Sequence, residues 1–395
     1  MKKILPIIIS VILLAGCTET AFEINSSNDQ TNSGVESGAQ STQSSVESVT
    51  PEPKPNPVVR LLCAGDNLIH TNIYKQANRR TDGNGYDFRP VYEEVKELVK
   101  NADYAVLNQE TIITNEYEPS GYPCFCTPED CGDQMVELGF DAMSISNNHL
   151  LDQGSKGLKA TLKYWSEKHP EIEVYGASLE EDKDEIKVAE INGIKFAFLG
   201  FMEHTNGLKL KKDSGCSITY LSETERVEML VKKADKLADV VVVSPHYGVE
   251  VSGTVTASQK QITQNLVNWG ADIIIGTQPH TVQPMEYVTK PDGGEAFVFY
   301  CLGNLVSSMD QALGMIGMIG EITVTKDLET GKIILSEPEA VPLITHYDSG
   351  FANVRIYRWE NYTEELGKRH GCAGFNYKFA KNTIEKQVKI VDYLP

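Results

Sequence analysis

Basic residues are scarce in this sequence. Its 395 residues include 36 Lys and Arg against 55 Asp and Glu, and the formal net charge is −19. Nucleic-acid backbones are bound by clustered Lys and Arg, so this balance excludes nucleic acid as a partner. The sequence also lacks repeats at a fixed period, which excludes a solenoid. It contains no C-x2-C pair of the kind that forms structural zinc sites.

The longest apolar run stands at the amino terminus. Lys2 and Lys3 precede Ile4–Ala15, a run too short for a comfortable transmembrane helix but suited to a secretory signal. The run ends in Leu-Ala-Gly-Cys, which resembles the lipobox of bacterial lipoproteins. The resemblance implies a signal peptide over residues 1–16 and a lipidated Cys17 on the outer face of the cell membrane. An ordinary signal peptide or an uncleaved anchor is the alternative.

Composition divides the rest of the chain. Residues 17–57 are rich in Ser, Thr, Asn, Gln, Glu and Pro, so they bury too little apolar surface to fold, and they predict a disordered tether. A globular domain is expected over residues 58–345. Residues 346–395 are polar and aromatic-rich, and they predict a partly helical carboxyl-terminal extension without an assigned role.

Seven cysteines follow Cys17. Cys63 and Cys301 lie in strand-like runs and are expected to be small buried side chains. Cys124, Cys126 and Cys131 are closely spaced, and the oxidising compartment of an exported protein favours a disulfide among them. A metal site in this cluster is the alternative.

Apolar runs of strand length alternate with segments of helical period, each pair joined by a polar loop. The predicted strands are Val58–Ala64, Asp103–Leu107, Ala142–Ile145, Asp239–Val243 and Ile273–Ile275. The predicted helices are Arg89–Lys100, Glu129–Leu138 and Ala257–Trp269. This alternation predicts a layered α/β sandwich with sheets inside and helices outside.

Local signals add a hairpin, a helix and a set of strands. Asn192-Gly193 between two apolar runs predicts a β-hairpin. Ser222 and Glu225 form a capping-box pattern that predicts the start of a helix reaching Leu237. Later runs between Val282 and Leu335, with no helix between them, predict an antiparallel set.

The triplet Asn147-Asn148-His149 follows the short buried run Ala142–Ile145. In open α/β sheets, ligands and catalytic groups gather at the carboxyl ends of the strands. The alternative is that the two amides and the imidazole only cap a turn.

Other strand ends carry similar chemistry. The polar residues at these positions are Asp66, Glu110, Asn148 with His149, His246 and His280. Carboxylates mixed with imidazoles suit Mn, Fe or Zn better than Ca or Mg. The pattern therefore predicts a site for one or two divalent ions that polarise a water molecule. Taken singly, each residue could instead be a turn cap, a loop charge or a buried structural imidazole.

The order of the motifs carries a resemblance. The segments GDNLIH, LNQET, SNNHLLDQG, SPHYGVE, GTQPHTVQP and YCLGNLV resemble the CapA-type family of poly-gamma-glutamate capsule biosynthesis proteins, within the calcineurin-like metallophosphatase superfamily. The similarity covers about residues 58–307. It implies a four-layer αββα sandwich of the metallophosphatase type and a role in synthesis, export or anchoring of poly-gamma-glutamate or a related envelope polymer. An anionic polymer, the membrane through the lipid anchor and a membrane synthase complex are the partners it implies.

The resemblance also implies roles for single residues. His149 would be the acid that protonates the leaving group, and Glu250 would be a second acid or would orient His246. Asn108, Gln278 and Asn304 would contact substrate. The implied metal ligands are Asp66, Glu110, Asn148, His246 and His280.

Two positions depart from the family pattern. Leu68 stands where the superfamily has a metal-binding His, and Gln278 stands in place of the first His of the closing motif. His70 would compensate for the first loss if its loop folded back.

Two kinds of function therefore remain open. One is metal-assisted hydrolysis or transfer at a phosphoester or gamma-glutamyl amide. The other is a non-catalytic polymer-binding or assembly scaffold with a degenerate metal site. A solute-binding lipoprotein is a third alternative, although the two similar lobes expected of one are absent from the sequence.

The lipobox resemblance generates a first prediction. Replacing Cys17 with Ala removes the thiol that would carry the lipid, so we expect the variant to leave the membrane fraction, as measured by immunoblotting of membranes and culture medium. A Cys216→Ala variant is the matched control and should stay on membranes. Retention of Cys17→Ala on membranes would contradict the prediction.

Overall fold

A computed structural model describes residues 54–391. The predicted signal peptide, Cys17 and the tether as far as residue 53 lie outside the described residues. The strands are β1 Val58–Asn67, β2 Tyr104–Asn108, β3 Ala142–Ser144, β4 Glu173–Tyr175, β5 Ala177–Leu179, β6 Val188–Ile191, β7 Ile194–Met202, β8 Cys216–Ile218, β9 Val240–His246, β10 Ile273–Ile275, β11 Met285–Thr289, β12 Glu295–Phe299, β13 Asn304–Val306, β14 Ile316–Lys326, β15 Ile333–Asp348 and β16 Ala352–Arg358. The helices are α1 Thr71–Arg80, α2 Arg89–Tyr92, α3 Lys96–Lys100, α4 Glu129–Leu138, α5 Gly154–Lys168, α6 Thr224–Asp235, α7 Ala257–Asn268, α8 Glu364–Arg369 and α9 Tyr377–Gln387.

The strands form two large sheets and a small one. The first sheet has eight strands, in the order β16-β15-β14-β1-β2-β3-β4, and β13 pairs with β1. Strands β1 to β4 are parallel, whereas β14, β15 and β16 are antiparallel. The second sheet has six strands, in the order β11-β12-β10-β9-β7-β6, with β7, β9, β10 and β12 parallel. Strands β5 and β8 pair separately.

Strands of the second sheet are buried on both faces. Along β7, Phe196 and Phe198 join the core that the two sheets share, whereas Ala197 and Leu199 join a second core. Successive side chains of a strand point to opposite faces, so this alternation separates an inner layer from an outer one. The same division runs through β9, β10 and β12.

The two sheets pack face to face through aromatic side chains. Phe198 of the second sheet stacks on Tyr104 of the first, with ring centroids 5.4 Å apart. Gly320 in β14 faces the ring of Phe299, and a Cβ atom at residue 320 would lie 2.3 Å from that ring. A glycine is therefore required where β14 meets β12.

Helices cover the outer faces. Val227 and Leu230 of α6, with Leu266 of α7, pack in the second core. Apolar residues of α1 to α5, such as Val91 and Trp165, join the core of the first sheet. The expected αββα sandwich is confirmed.

Several local predictions are confirmed. Helix α4 and strand β10 have the expected bounds. Strands β6 and β7 form the expected hairpin, in which Asn192 and Gly193 both have positive φ angles of 48° and 84°. Two positive φ angles are what a tight Asn-Gly hairpin turn requires.

Other local predictions were wrong. The expected helix over Arg89–Lys100 is divided into α2 and α3. The capping box at Ser222 does not form, because α6 begins at Thr224 and the side chain of Glu223 accepts a hydrogen bond from the Tyr220 backbone instead. A capping box does form at Thr256, which the pattern search missed.

The later strands are shared between both sheets. Strands β11 and β12 pair in the second sheet, whereas β14 and β15 pair in the first. Strand β15 continues through residue 345 to Asp348, and β16 pairs with it. Residues after 345 therefore extend the first sheet before they enter α8 and α9.

All seven cysteines of the described region are free thiols. The disulfide expected among Cys124, Cys126 and Cys131 is thus absent from residues 54–391. Cys126 donates to the backbone oxygen of Thr114, and Cys131 is buried beside Asn67, so burial of the two thiols in separate contacts replaces the covalent bond.

Among residues 54–391, no helix is both long and apolar enough to cross a membrane.

The close approach at Gly320 generates a prediction about stability. Replacing Gly320 with Ala forces the Phe299 ring to move within a packed core, so we expect a loss of about 1–3 kcal/mol in the free energy of unfolding. Urea unfolding measures it. Gly294→Ala is the control, because its new methyl group would meet only the flexible side chains of Asp292 and Lys290. Equal stability of the two variants would contradict the face-to-face packing.

Candidate metal centre

The first half of the site lies at the carboxyl ends of β1, β2 and β3. Asp66 is the last residue but one of β1 and lies in register with Asn108 at the end of β2. Asp66 is also in register with Asn304 at the start of β13. Glu110 follows β2, and Asn148 follows β3. The parallel pairing therefore gathers these side chains along one edge of the first sheet.

The second half comes from the other sheet. His246 ends β9 and forms a bridge with Thr277 in the loop that contains His280. Its Nε2 atom is 3.2 Å from Asn148 Oδ1, while its Nδ1 atom is 2.9 Å from Thr277 Oγ1. His280 Nδ1 is 3.0 Å from Asp66 Oδ2. These contacts join the carboxyl edges of the two sheets.

Glu110 lies between the two halves. One of its carboxylate oxygens, Oε1, is 3.6 Å from His280 Nε2 and 3.8 Å from His246 Nε2. The side chain is 0% exposed, and within the described part of the chain neither oxygen has a hydrogen-bond partner. A buried carboxylate without a hydrogen-bond partner is costly, so this group either takes up a proton or has a positive charge beside it.

Burial and charge set the protonation of the cluster. Burial raises the pKa of Glu110 well above its usual value. Burial alone would lower the pKa of His280, but the carboxylates of Glu110 and Asp66 raise it to about 10. Burial likewise opposes the charge of Asp66, yet the hydrogen bond and charge of His280 lower its pKa. Burial lowers the pKa of His246 to about 3, which keeps that imidazole neutral.

The donor atoms fit a divalent cation. Ligand atoms of Asp66, Glu110 and His280 all lie within 4.8 Å of one another. The unpaired buried oxygens include Asn108 Oδ1 and Gln278 Oε1 as well as both oxygens of Glu110. A cluster of free acceptors beside a neutral imidazole is a suitable ligand set for a metal ion. Asp66, Glu110 and His280 could therefore hold one, with Asn148 and His246 adjacent.

A second pair of groups lies beside this cluster. His149 Nδ1 is 2.8 Å from Asp152 Oδ2, and the ring packs edge-on against Phe125. Asp152 also accepts a hydrogen bond from the Phe125 backbone, at 2.6 Å. Asn206 contacts His149 of this pair and the preceding residue: its side chain is 3.5 Å from His149 Nδ1 and accepts a hydrogen bond from Asn148 at 3.3 Å.

Sequence reasoning missed Asp152 and Asn206. Asp152 stands three residues after His149 within the Asn-Asn-His-Leu-Leu-Asp stretch, and that spacing could have indicated it. Asn206 belongs to Thr205-Asn206-Gly207, a loop that the family resemblance assigns only to the rim of the site.

The remaining predicted residues serve the site in different ways. Asn108 donates to Asp66 at 2.7 Å, and Asn304 Oδ1 is 3.0 Å from His280 Nδ1, so both hold groups of the cluster. Gln278 donates to Glu250 at 3.2 Å. His70 stays outside the cluster, because its Nδ1 is 3.2 Å from the Leu68 carbonyl oxygen and accepts from the Ser308 backbone N–H.

The loops carrying these residues are strained. Gln278, His280 and Val251 have positive φ angles of 97°, 54° and 53°. Each such angle costs on the order of 1–3 kcal/mol for residues other than Gly. Val251 donates its backbone N–H to Pro279, at 2.8 Å, which fastens the two loops together.

Residues 60–309 match the family described as bacterial capsule synthesis protein PGA_cap. The chain belongs to this family. The match spans every strand end that contributes to the centre and stops within the loop after β13. Strands β14 to β16 and helices α8 and α9 lie beyond it.

Two relatives share this region. The chain is 28% identical over 220 residues to the PGA biosynthesis protein CapA of Bacillus subtilis, covering 55% of this chain and 56% of the relative. It is 27% identical over 265 residues to the capsule biosynthesis protein CapA of Bacillus anthracis, covering 64% of this chain and 60% of the relative. The match thus spans little more than half the length of these relatives.

Solved structures show weaker similarity. A phosphatase from Mycoplasma pneumoniae aligns with a TM-score of 0.43 and 14% identity, over 73% of this chain and 95% of its own. A 5'-nucleotidase from Candida albicans aligns with a TM-score of 0.40 and 12% identity, over 71% of this chain and 51% of its own.

The geometry of Glu110 generates a prediction about metal binding. In a Glu110→Gln variant of the full-length chain, we expect Mn²⁺ affinity to fall about 100-fold or more, because loss of even an outer partner of a metal ligand costs roughly 10- to 100-fold. Titration calorimetry and elemental analysis measure it. Without metal, the variant should unfold no earlier than the parent, since the substitution removes a buried carboxylate.

The matched control is Asp141→Asn. Asp141 is partly buried in the same sheet and accepts from the Ala105 backbone at 2.8 Å, but it precedes β3 and so lies at the opposite edge. The Asp141→Asn variant should bind metal with the same affinity as the parent. Equal metal content in all three proteins would show that Glu110 is not a ligand.

Proposed function

We propose that this chain acts in capsule synthesis. In a metal-dependent reaction, it would hydrolyse a bond of the envelope polymer or transfer part of the polymer to an acceptor. The observation that carries the proposal is the unpartnered Glu110 carboxylate, buried within 4 Å of two imidazoles and next to the His149–Asp152 pair. In its charged form such a group is costly unless a cation lies beside it. The names of the CapA relatives supply the link to capsule.

Asp66, Glu110 and His280 would hold a divalent ion, with His246 and Asn148 available for a second. Mn, Fe or Zn suits a mixed carboxylate and imidazole set. When bound, such an ion polarises the scissile group and lowers the pKa of a water molecule.

His149 would supply the proton. Its Nδ1 atom faces Asp152, so the carboxylate holds that N–H and leaves Nε2 for the substrate. Phe125 and the side chain of Asn147 hold the residue in place, because the His149 backbone N–H donates to Asn147 Oδ1. Positioned general acids of this kind contribute about 10²- to 10⁴-fold in rate.

The substrate class we propose is poly-gamma-glutamate or a related anionic polymer. In hydrolysis of a gamma-glutamyl amide, water adds to the carbonyl carbon and releases a proton to solvent, the carbon–nitrogen bond breaks, and the departing nitrogen takes the Nε2 proton of His149. Solvent then restores the proton of His149. In transfer, an acceptor amine or hydroxyl replaces water. At a phosphoester, the proton would go to the departing oxygen.

We further propose that Cys17 anchors the protein to the outer face of the cell membrane. The sequence over residues 1–17 supports this location. It would place the site beside a growing polymer chain and a membrane synthase complex.

A non-catalytic scaffold is the second candidate. It is favoured by the direct 3.0 Å contact between His280 Nδ1 and Asp66 Oδ2, which satisfies both groups without a metal. Leu68 and Gln278 stand where the superfamily pattern has further imidazoles. The scaffold would bind polymer without turnover.

Turnover distinguishes the two candidates. In the metal-loaded full-length protein, we expect His149→Ala to lower hydrolysis of gamma-glutamyl oligomers or bis-p-nitrophenyl phosphate by about 10²- to 10⁴-fold, because the leaving group loses its proton donor. Metal content should be retained. Asp152→Asn should lower kcat by weakening the hold on the His149 ring.

The control is His169→Ala. His169 makes a comparable contact, 2.8 Å from Asp133, at the far end of α5. It should leave turnover unchanged. If the parent protein binds metal but its turnover equals that of the His149→Ala variant, the enzymatic proposal is wrong and the scaffold proposal is favoured.

A further inference from the structure

The segment after β7 has an unusual charge for this chain. Residues 204–212 contain three lysines and no acidic residue, although the whole sequence has a net charge of −19. Lys209, Lys211 and Lys212 are exposed, and none forms an ion pair with any residue between 54 and 391. We call this segment the lysine loop. Its acidic neighbours in sequence are Glu203 and Asp213.

The lysine loop begins at the candidate site. Asn206 accepts a hydrogen bond from Asn148 at 3.3 Å and lies 3.5 Å from His149 Nδ1. Lys209 is three residues after Asn206, and three residues span at most about 11 Å. The backbone of Lys209 therefore lies near His149, the proposed proton donor.

The loop has a defined conformation. Leu208 donates its backbone N–H to Thr205, and Asn206 and Gly207 have φ angles of 49° and 76°, which is a tight turn. Thr205 Oγ1 is 2.8 Å from the Tyr220 hydroxyl.

The far side of the loop is also anchored. Leu210 packs against a core cluster that contains Leu150 and Leu151, the residues directly after His149. Asn206 and Leu210 both contact residues between 148 and 151. Lys209 and Lys211, on either side of Leu210, are exposed to solvent. Three exposed lysines without an ion pair thus belong to the loop that contacts Asn148 and His149.

From this arrangement, we propose that the lysine loop is the docking element for a chain of regularly spaced carboxylates. The inference deepens the proposed function and rests on it. Unpaired exposed cations attract an anionic polymer over about a Debye length, roughly 10 Å at 0.1 M salt. The whole chain and the proposed polymer both have negative charge. The lysine loop would offset this repulsion, because its ammonium groups attract the polymer carboxylates near the site.

The test uses the full-length protein and a fluorescent gamma-linked glutamate oligomer, with binding followed by anisotropy at low and high salt. We expect a Lys209→Gln, Lys211→Gln, Lys212→Gln triple variant to bind about 10-fold more weakly, since each exposed ion pair contributes a factor of roughly 2 to 5. Its affinity should also depend less on salt. The methyl ester of the oligomer should not bind.

A second triple variant controls for overall charge. Lys75, Lys100 and Lys378 are exposed and form no ion pair with another residue of the described chain. Their joint replacement by Gln makes the same change in net charge, and it should leave oligomer affinity unchanged. Thermal unfolding confirms that both triple variants are folded.

Unchanged affinity in the lysine-loop variant, or equal losses in both triple variants, would overturn the proposal. Parent protein that does not bind the oligomer would overturn it as well. This experiment measures equilibrium binding, whereas the His149→Ala experiment measures turnover. One result can therefore contradict the docking proposal without contradicting the enzymatic one, and the reverse.

Discussion

The contact between the carboxyl edges of the two sheets is the constraint on which the rest of the structure depends. His280 from one sheet reaches Asp66 from the other at 3.0 Å, and Glu110 lies buried between them. Charged groups are tolerated at such depth only when they compensate one another or share a cation. The sandwich must therefore hold its sheets in one relative position, and the Phe198–Tyr104 stack and the close approach at Gly320 do so deep in the core.

The site is stabilised from outside its own residues. Strained backbone at Gln278 and His280 persists because the neighbouring loop bonds to it through Val251. Residues beyond the family match also contribute, since the Tyr347 hydroxyl donates to Met309 in the loop after β13. The folding energy of the large antiparallel part of the first sheet thus supports local strain and buried charge that would be unfavourable alone.

The distribution of charge separates the centre from its entrance. Carboxylates are buried among imidazoles in the centre, where the low dielectric strengthens their attraction to a cation. The ammonium groups of Lys209, Lys211 and Lys212 remain in solvent, where they act over distance without a desolvation cost. Asn206 connects the two regions, because it lies in the same loop as the lysines and contacts Asn148 and His149.

Much of the fold follows from local patterns. Apolar runs and the Asn192-Gly193 turn predicted strands and a hairpin that the structure has, because period and turn chemistry act over a few residues. The predictions of one helix over residues 89–100 and of a capping box at Ser222 were wrong. Packing overrides local preference, and the Tyr220 backbone N–H donates a competing hydrogen bond to Glu223. Local patterns also could not predict that the last strands are divided between two sheets, because this depends on pairing between residues far apart in sequence.

The sequence by itself determined which chemical groups stand at strand ends, since residue type and strand length are local properties. Asp66, Glu110, His149, His246 and His280 were all identified in this way. Only the tertiary structure decided which of them meet: Asp66, Glu110 and His280 form one cluster, His149 pairs with Asp152, and His70 stays outside. The reason is physical, because the distance between residues as far apart in sequence as 66 and 280 is set by sheet packing, which no short segment encodes.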